Sequence, residues 1–294
     1  MISKMRKKKE KYLDYDYDSM FSNDANVLDE WMVEQILKQP HKCVYACKEY
    51  KLNEHLEIEI YPEFSKKSDI PEQYRKKNKK AQKDLNDRNS RKYLRRLIEK
   101  NFDNGDIWAT LTYDNEHLPK DMDEASRDIY NYIRRINYKL KKKGLPNAKY
   151  VYITEYSETA KTRYHHHLII KCGLTMDEIE EKWKCGGRNN TRKIQKDENG
   201  IIGLASYISL KENKDKYERR WTPSKNLKKV TSRKNHYKFK KNKVDEMVNN
   251  QNVIKEQMEN TYPDYILSDA NCYYNKFNAK WYIQARMRLR KWRC

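Results

Sequence analysis

Glycine is scarce in this chain: seven in 294 residues, at 105, 144, 173, 186, 187, 200 and 203. No two are spaced as GxGxxG or GxxxxGK(S/T) requires, the patterns that bring backbone close to a pyrophosphate or cradle a triphosphate. A dinucleotide fold and a built-in ATP-driven motor are argued against, and no nucleotide cofactor is expected. Long apolar runs are missing as well. No window approaches the 18 consecutive apolar residues of a spanning helix, so no membrane partner is expected. The basic start MISKMRKKKEKY leads into DYDYD and not into an apolar run, which is not the pattern of a secretory signal. The expected location is therefore cytoplasmic. Cysteines number six (43, 47, 172, 185, 272 and 294), and their spacing matches no standard zinc knuckle well. Reduced free thiols are the expectation.

What the chain has in excess is positive charge. Lys and Arg total 64 against 43 Asp and Glu, a formal net charge of +21 spread along the sequence. With 24 Tyr and 6 Trp available for stacking on bases, the partner this field favours is nucleic acid.

Read in order, residues 1–40 form an appendage with a helical apolar pattern over 26–39, closed by Pro40. Residues 42–51 and 54–61 read as strands. Residues 72–100 turn helical and strongly basic, with Tyr93, Leu94, Leu97 and Ile98 as an apolar stripe. Arg91, Arg95 and Arg96 lie largely off that stripe, either as a solvated face or as a track for a phosphate backbone. DIWATLTY (106–113) is a strand, and 122–142 is a helix with Ile129, Tyr132, Ile133, Ile136 and Leu140 in register, stopped by Gly144 and Pro146. A short helix over 175–183, a strand over 190–195 and a helix over 204–211 follow. The basic loop RRWTPSKNLKK (219–229), a polar helix over 238–260 and a closing strand over 281–290 complete the chain. No internal repeat is visible. The mixture argues for an α+β domain with a mainly antiparallel sheet.

The stretch YVYITEYSETAKTRYHHHLIIK (150–171) gathers three of the seven histidines. Strand alternation points His165 and His167 to one face and His166 to the other, with Leu168 and Ile170 beside His166 as core. If the hairpin is centred near Ala160, Glu155 lies across from His165, about 5 Å away at Cβ. Two imidazoles and a carboxylate then converge as a candidate metal site. A bare H-x-H is equally an exposed polar patch, and the carboxylate one hairpin away favours the metal. Mixed imidazole and carboxylate ligation suits Mn2+ more readily than Mg2+.

Taken in order, DIWATLTYDNEHLP, TEY, RYHHHLII, LASYISLK and RRWTPSKNLKK resemble the HUH endonuclease superfamily. Within it the likeness is to single-tyrosine rolling-circle replication initiators of Gram-positive bacterial plasmids, phages and mobile elements. The resemblance implies an HUH nuclease core over 41–230, with helices on one face of a central antiparallel sheet. Residues 1–40 and 231–294 would be helical extensions, the latter a basic helix and strand packed on the core. It implies that the first motif strand faces DNA, which brings in Trp108, Thr110 and Thr112. It assigns His165, His167 and Glu155 to a divalent metal, Tyr207 to nucleophilic attack on a phosphodiester and Lys211 to the following lysine. Arg163, Arg219, Arg220, Trp221, Lys225, Lys228, Arg95 and Arg96 are the further DNA-binding candidates. The implied partners are single-stranded or hairpin origin DNA, with host helicase and polymerase supplied in trans. Two departures stand out: His166 replaces a hydrophobe between the ligands, and Lys211 follows Tyr207 by four residues where the family usually has three. A transposase with the same chemistry and a non-catalytic nucleic-acid-binding protein are the competing classes.

Overall fold

The computed structural model describes residues 43–64, 79–158, 161–186, 189–196, 201, 221–275 and 280–290. The appendage over 1–40, the start of the basic helix and the segment with Tyr207, Lys211, Arg219 and Arg220 lie outside the described residues.

The elements in chain order are β1 (Cys43–Lys51), β2 (His55–Phe64), α1 (Lys79–Asn101), β3 (Ile107–Thr112), α2 (Met122–Lys142), β4 (Lys149–Ser157), β5 (Thr162–Lys171), α3 (Met176–Glu180) and β6 (Asn190–Lys193). The second half adds β7 (Thr222–Pro223), β8 (Ser232–Asn235), α4 (Lys241–Asn249), α5 (Gln251–Thr261), β9 (Tyr265–Asn275) and β10 (Lys280–Leu289). They build two five-stranded sheets, ordered β8-β1-β2-β10-β9 and β6-β3-β5-β4-β7, in which the pairings are antiparallel. No helix among the described residues is long and apolar enough to cross a membrane.

The α+β class and the antiparallel pairing match the sequence reading; the placing of helices on one face only does not. A strand closing the chain over 281–290 is present, but it does not join the sheet that holds the histidines. Instead β10 pairs with β2 in a second sheet, so strands from the two ends of the described chain are neighbours. Helices cover both faces of the histidine sheet. On one side α2 and α3 bury Ile129, Tyr132, Ile133, Ile136, Leu140 and Ile179 against Leu111, Leu168 and Ile170. On the other, α1 lays Leu94, Leu97, Ile98 and Phe102 over Val151, Ile153 and Ile169. That second face carries enough apolar surface to require a cover, at roughly 1.5–3 kcal/mol for each large aliphatic side chain removed from water.

Local signals explain why α2 stands where it does. Asp121 caps it by accepting from the Glu124 N–H at 2.7 Å, Asp123 and Glu124 sit at the positive end of its dipole, and Lys139, Lys141 and Lys142 at the negative end. The polar helix read over 238–260 is two helices. Asn250 takes an extended conformation (φ −147°, ψ 114°) and its side chain accepts from the Asn252 N–H, starting α5 afresh.

α1 is shared between the sheets. Its apolar stripe faces the histidine sheet, while Arg96 donates to Glu57 at 2.6 Å and to Glu59 at 2.7 Å on β2. Glu99 lies 2.8 Å from His55 and 3.3 Å from Arg286. On the far side of the second sheet, α4 and α5 close a separate core around Ile58, Ile60, Val244, Met247, Ile254 and Met258.

Candidate metal centre

β4 and β5 form the hairpin foreseen from the sequence. Glu155 pairs with His165, Ile153 with His167, Thr154 with His166, and β5 pairs on its other side with β3, Thr110 against His167 and Thr112 against His165. Alternation therefore sets Trp108, Thr110 and Thr112, His165 and His167, and Ile153 and Glu155 on the face that α1 partly covers. The trio lies beyond the apolar end of that cover, with Glu155 and His167 buried and His165 half-buried, so the approach is from the His165 side.

His165 Nε2 is 3.1 Å from one Glu155 oxygen, and His167 Nε2 is 3.6 Å from the other. The two rings meet edge to face, 4.9 Å between centroids. Tautomers follow from the outer contacts. His165 Nδ1 lies 2.9 Å from the Arg163 carbonyl oxygen, which can only accept, so this nitrogen carries a proton. In the neutral ring Nε2 then presents a lone pair to the carboxylate. His167 Nδ1 lies 3.2 Å from the Thr110 hydroxyl, and the indole of Trp108 stacks on its ring at 5.2 Å and 14°. Lone pairs pointed at a carboxylate repel unless a cation sits between them, and either a proton or a metal ion meets that need.

The donor set fits a divalent metal. One ligand atom from each of Glu155, His165 and His167 falls within 4.8 Å of the others, a span that bonds of about 2.0–2.2 Å bridge after a small inward shift. Among the described residues no cysteine joins such a group, and Cys43, Cys47, Cys172, Cys185 and Cys272 are free thiols.

His166 does a different job on the opposite face. Fully buried, it lies 2.7 Å from the Tyr113 hydroxyl through Nε2 and 2.9 Å from the Thr154 hydroxyl through Nδ1, with the Trp183 ring edge-on at 5.6 Å. Tyr113 is in turn hydrogen-bonded to Asp128; burial, then the Asp128 charge, pushes its phenol above the ordinary range. One direction satisfies the whole chain: Thr154 donates to Nδ1, Nε2–H donates to the Tyr113 oxygen, and Tyr113 donates to Asp128. The polar residue that replaces a hydrophobe is thus supplied with the hydrogen bonds that burial requires.

The DNA-binding candidates divide. Trp108 and Thr110 touch His167, and Thr112 is half-buried beside His165. Arg163 is exposed, donating to the Asp114 carbonyl at 3.2 Å. Trp221 stacks on Tyr93 of α1 at 6.0 Å and donates to Ser90, while Lys225 and Lys228 are exposed in the turn that follows. Arg95 is half-buried. Arg96 differs from the expectation: buried between Glu57 and Glu59, with its guanidinium 3.5 Å from the Tyr50 ring centroid, it joins α1 to β2 and does not face solvent. The Arg163 carbonyl and Thr110 hydroxyl as histidine orienters, and the Tyr113, Thr154 and Trp183 cage, are not legible in the sequence. Thr110 and Tyr113 depend on β3 lying beside β5, a pairing across more than fifty residues, while the Arg163 carbonyl and Thr154 are local contacts with no sequence signal of their own.

No curated protein and no solved structure matches this chain. Residues 106–216, the stretch running from the start of β3 past the trio and through Tyr207 and Lys211, match the family model of replication-associated proteins of the ORF2 type, which is consistent with a replication initiator.

Proposed function

We propose that this chain is a replication initiator that nicks single-stranded DNA at an origin by attack of Tyr207 on a phosphodiester. The observation that carries the reading is the convergence of Glu155, His165 and His167 on one sheet face within a stretch similar to replication-associated proteins. A second observation supports Tyr207 as the nucleophile. Ile201 is buried in the cluster on the trio's face, its N–H donating to Glu99 at 3.2 Å, and Trp221 packs against the same cluster. Tyr207 is six positions beyond Ile201, a reach of at most about 20 Å.

Glu155, His165 and His167 are the residues that would hold Mn2+ or Mg2+, with Thr110 and the Arg163 carbonyl fixing the imidazole orientations. Bound there, such an ion would supply Lewis acidity to the phosphodiester chemistry. The Tyr207 oxygen forms a bond to phosphorus as the bond to the 3′ oxygen breaks. The phenol gives up its proton and the 3′ oxygen gains one, leaving a 5′-phosphotyrosine and a free 3′-hydroxyl. Lys211 neutralises charge on the phosphate. Attack by a 3′-hydroxyl on the phosphotyrosine rejoins a strand without ATP, in keeping with the missing triphosphate-binding pattern. Helicase and polymerase act in trans.

The test is incubation with single-stranded DNA pools in Mn2+, with a protein–DNA adduct resistant to denaturant as the readout. Tyr207→Phe is expected to abolish the adduct and leave DNA affinity unchanged. An adduct recovered undiminished from Tyr207→Phe rejects Tyr207. Strong salt-dependent binding with no cleavage of any sequence by the wild type makes the chain a binding protein only.

A further inference from the structure

The face of the histidine sheet turned away from the trio carries a row of tyrosines that the nicking chemistry does not use. Along β4, Tyr150 and Tyr152 occupy alternate positions, about 7 Å apart along a strand, and Tyr156 follows beyond Thr154. Tyr150 and Tyr152 stack at 6.1 Å and 22°, and Tyr156 stacks on Tyr164 of β5 at 4.2 Å and 10°. Tyr150, Tyr152 and Tyr164 pack against the α2-side core by one edge and are half-buried. Burial first, and then the neighbouring Tyr152 and Tyr130 phenols, hold the Tyr150 phenol above its ordinary range, which puts Tyr130 of α2 near it; Tyr130 is 63% exposed and Tyr156 45%.

Packing against the core accounts for one edge of Tyr150, Tyr152 and Tyr164, but not for the exposed rings of Tyr130 and Tyr156 beside them. Its surroundings are positive. Arg127 and Arg134 stand three residues before and four after Tyr130, on the same side of α2, and both are exposed. From Tyr130 to Lys143 the sequence YNYIRRINYKLKKK contains no acidic residue, and of its lysines Lys139 and Lys143 are paired with Glu178. Exposed Tyr138 lies farther along with Lys142 Nζ 4.8 Å from its ring centroid. Flat π surfaces in series beside cations that can reach a phosphate backbone are what a single strand with unpaired bases requires. A duplex keeps its base faces stacked internally and has no use for them.

We propose that Tyr130, Tyr150, Tyr152, Tyr156 and Tyr164 form a base-stacking track for single-stranded DNA, with Arg127 and Arg134 holding its phosphates. Tyr156 directly follows Glu155 at the hairpin end, so a strand passing the trio rounds that end and continues onto the track. The choice of DNA as the single strand rests on the nicking reading; the track itself does not.

The experiment measures affinity for a fluorescent oligothymidylate and for a duplex of equal length in EDTA, so that no cleavage occurs. Tyr130→Ala and Tyr156→Ala are each expected to weaken single-strand binding about tenfold, with duplex binding and melting temperature little changed. Tyr130→Phe and Tyr156→Phe, which keep the ring, are expected to bind like the wild type. Unchanged single-strand affinity in both alanine variants overturns the track, as does an equal loss for duplex. Because Tyr130 is on a different element from Glu155, its variant answers the question even if Tyr156→Ala disturbs the hairpin. The adduct assay is scored separately: a track that fails beside an intact adduct leaves nicking standing, and a missing wild-type adduct beside a working track removes nicking alone.

Discussion

Three consecutive histidines divide between two unlike environments because a strand turns alternate side chains to opposite sides. His165 and His167 meet Glu155; His166 meets Tyr113 and Thr154 inside the α2-side core. The consequence is an opposed pair of variants. Glu155→Gln is expected to remove the rise in melting temperature on adding Mn2+ while changing metal-free stability little. His166→Phe is expected to keep that rise and to lower stability by about 1–3 kcal/mol, since buried hydroxyls lose a partner. Thermal melts with and without Mn2+, together with urea titrations, read both. If Glu155→Gln retains the Mn2+ shift, the trio is not the metal site.

At the scale of elements, α1 is the piece with two obligations. Its stripe of Leu94, Leu97, Ile98 and Phe102 belongs to the histidine sheet, while Arg96 and Glu99 point to β2 and its neighbours. Removing one member of a buried ion cluster leaves its partners charged and desolvated, so Arg96→Ala is expected to destabilise the fold by about 3–5 kcal/mol. Arg95→Ala, one position along, is expected to change stability by less than about 0.5 kcal/mol. Urea midpoints of the two variants make the comparison, and equal midpoints would show that the ion cluster does not couple helix to sheet. The periodicity of this helix is legible in its sequence. What is not legible is that a basic face meets acidic β2 and not a phosphate backbone, because the contacting residues of β2 lie 37 and 39 residues earlier with no local signal joining them. β9 escapes a sequence reading for a related reason: YILSDANCYYN is interrupted by Ser268, Asp269 and Asn271 without a regular alternation, and is held as an edge strand by pairing with β10.

For the whole molecule, the ion cluster between α1 and the second sheet ties stability to pH. Burial acts to raise the Glu99 carboxyl, but the His55 imidazole 2.8 Å away and the Arg286 charge outweigh it and hold the group below the usual carboxylate range. Glu59 is likewise held low against burial, by Arg96 and Lys92. Carboxyls with lowered folded values contribute stability that is complete above their unfolded value, about 4.3, and lost as pH falls through the folded values. The melting temperature is therefore expected to fall steadily below about pH 4.5, where the same carboxyls begin to protonate in the unfolded chain while the folded ones stay ionised. Glu99→Gln is expected to melt lower at neutral pH and to show a flatter acid limb. A variant whose acid limb parallels the wild type would remove Glu99 from this account.

By itself the sequence determined whatever depends on neighbours a few residues apart: the alternation that separates His166 from His165 and His167, the short hairpin that sets Glu155 across from them, and the capped, amphipathic α2. These are local because strand and helix periods are properties of the backbone. Only the tertiary structure decided that Thr110 and Trp108 stand against His167, that Arg96 is enclosed by Glu57 and Glu59, and that β2 and β10 share a sheet. Such contacts join positions tens to more than two hundred residues apart, and their partners are selected by which surfaces can be buried together, a condition that no local pattern encodes.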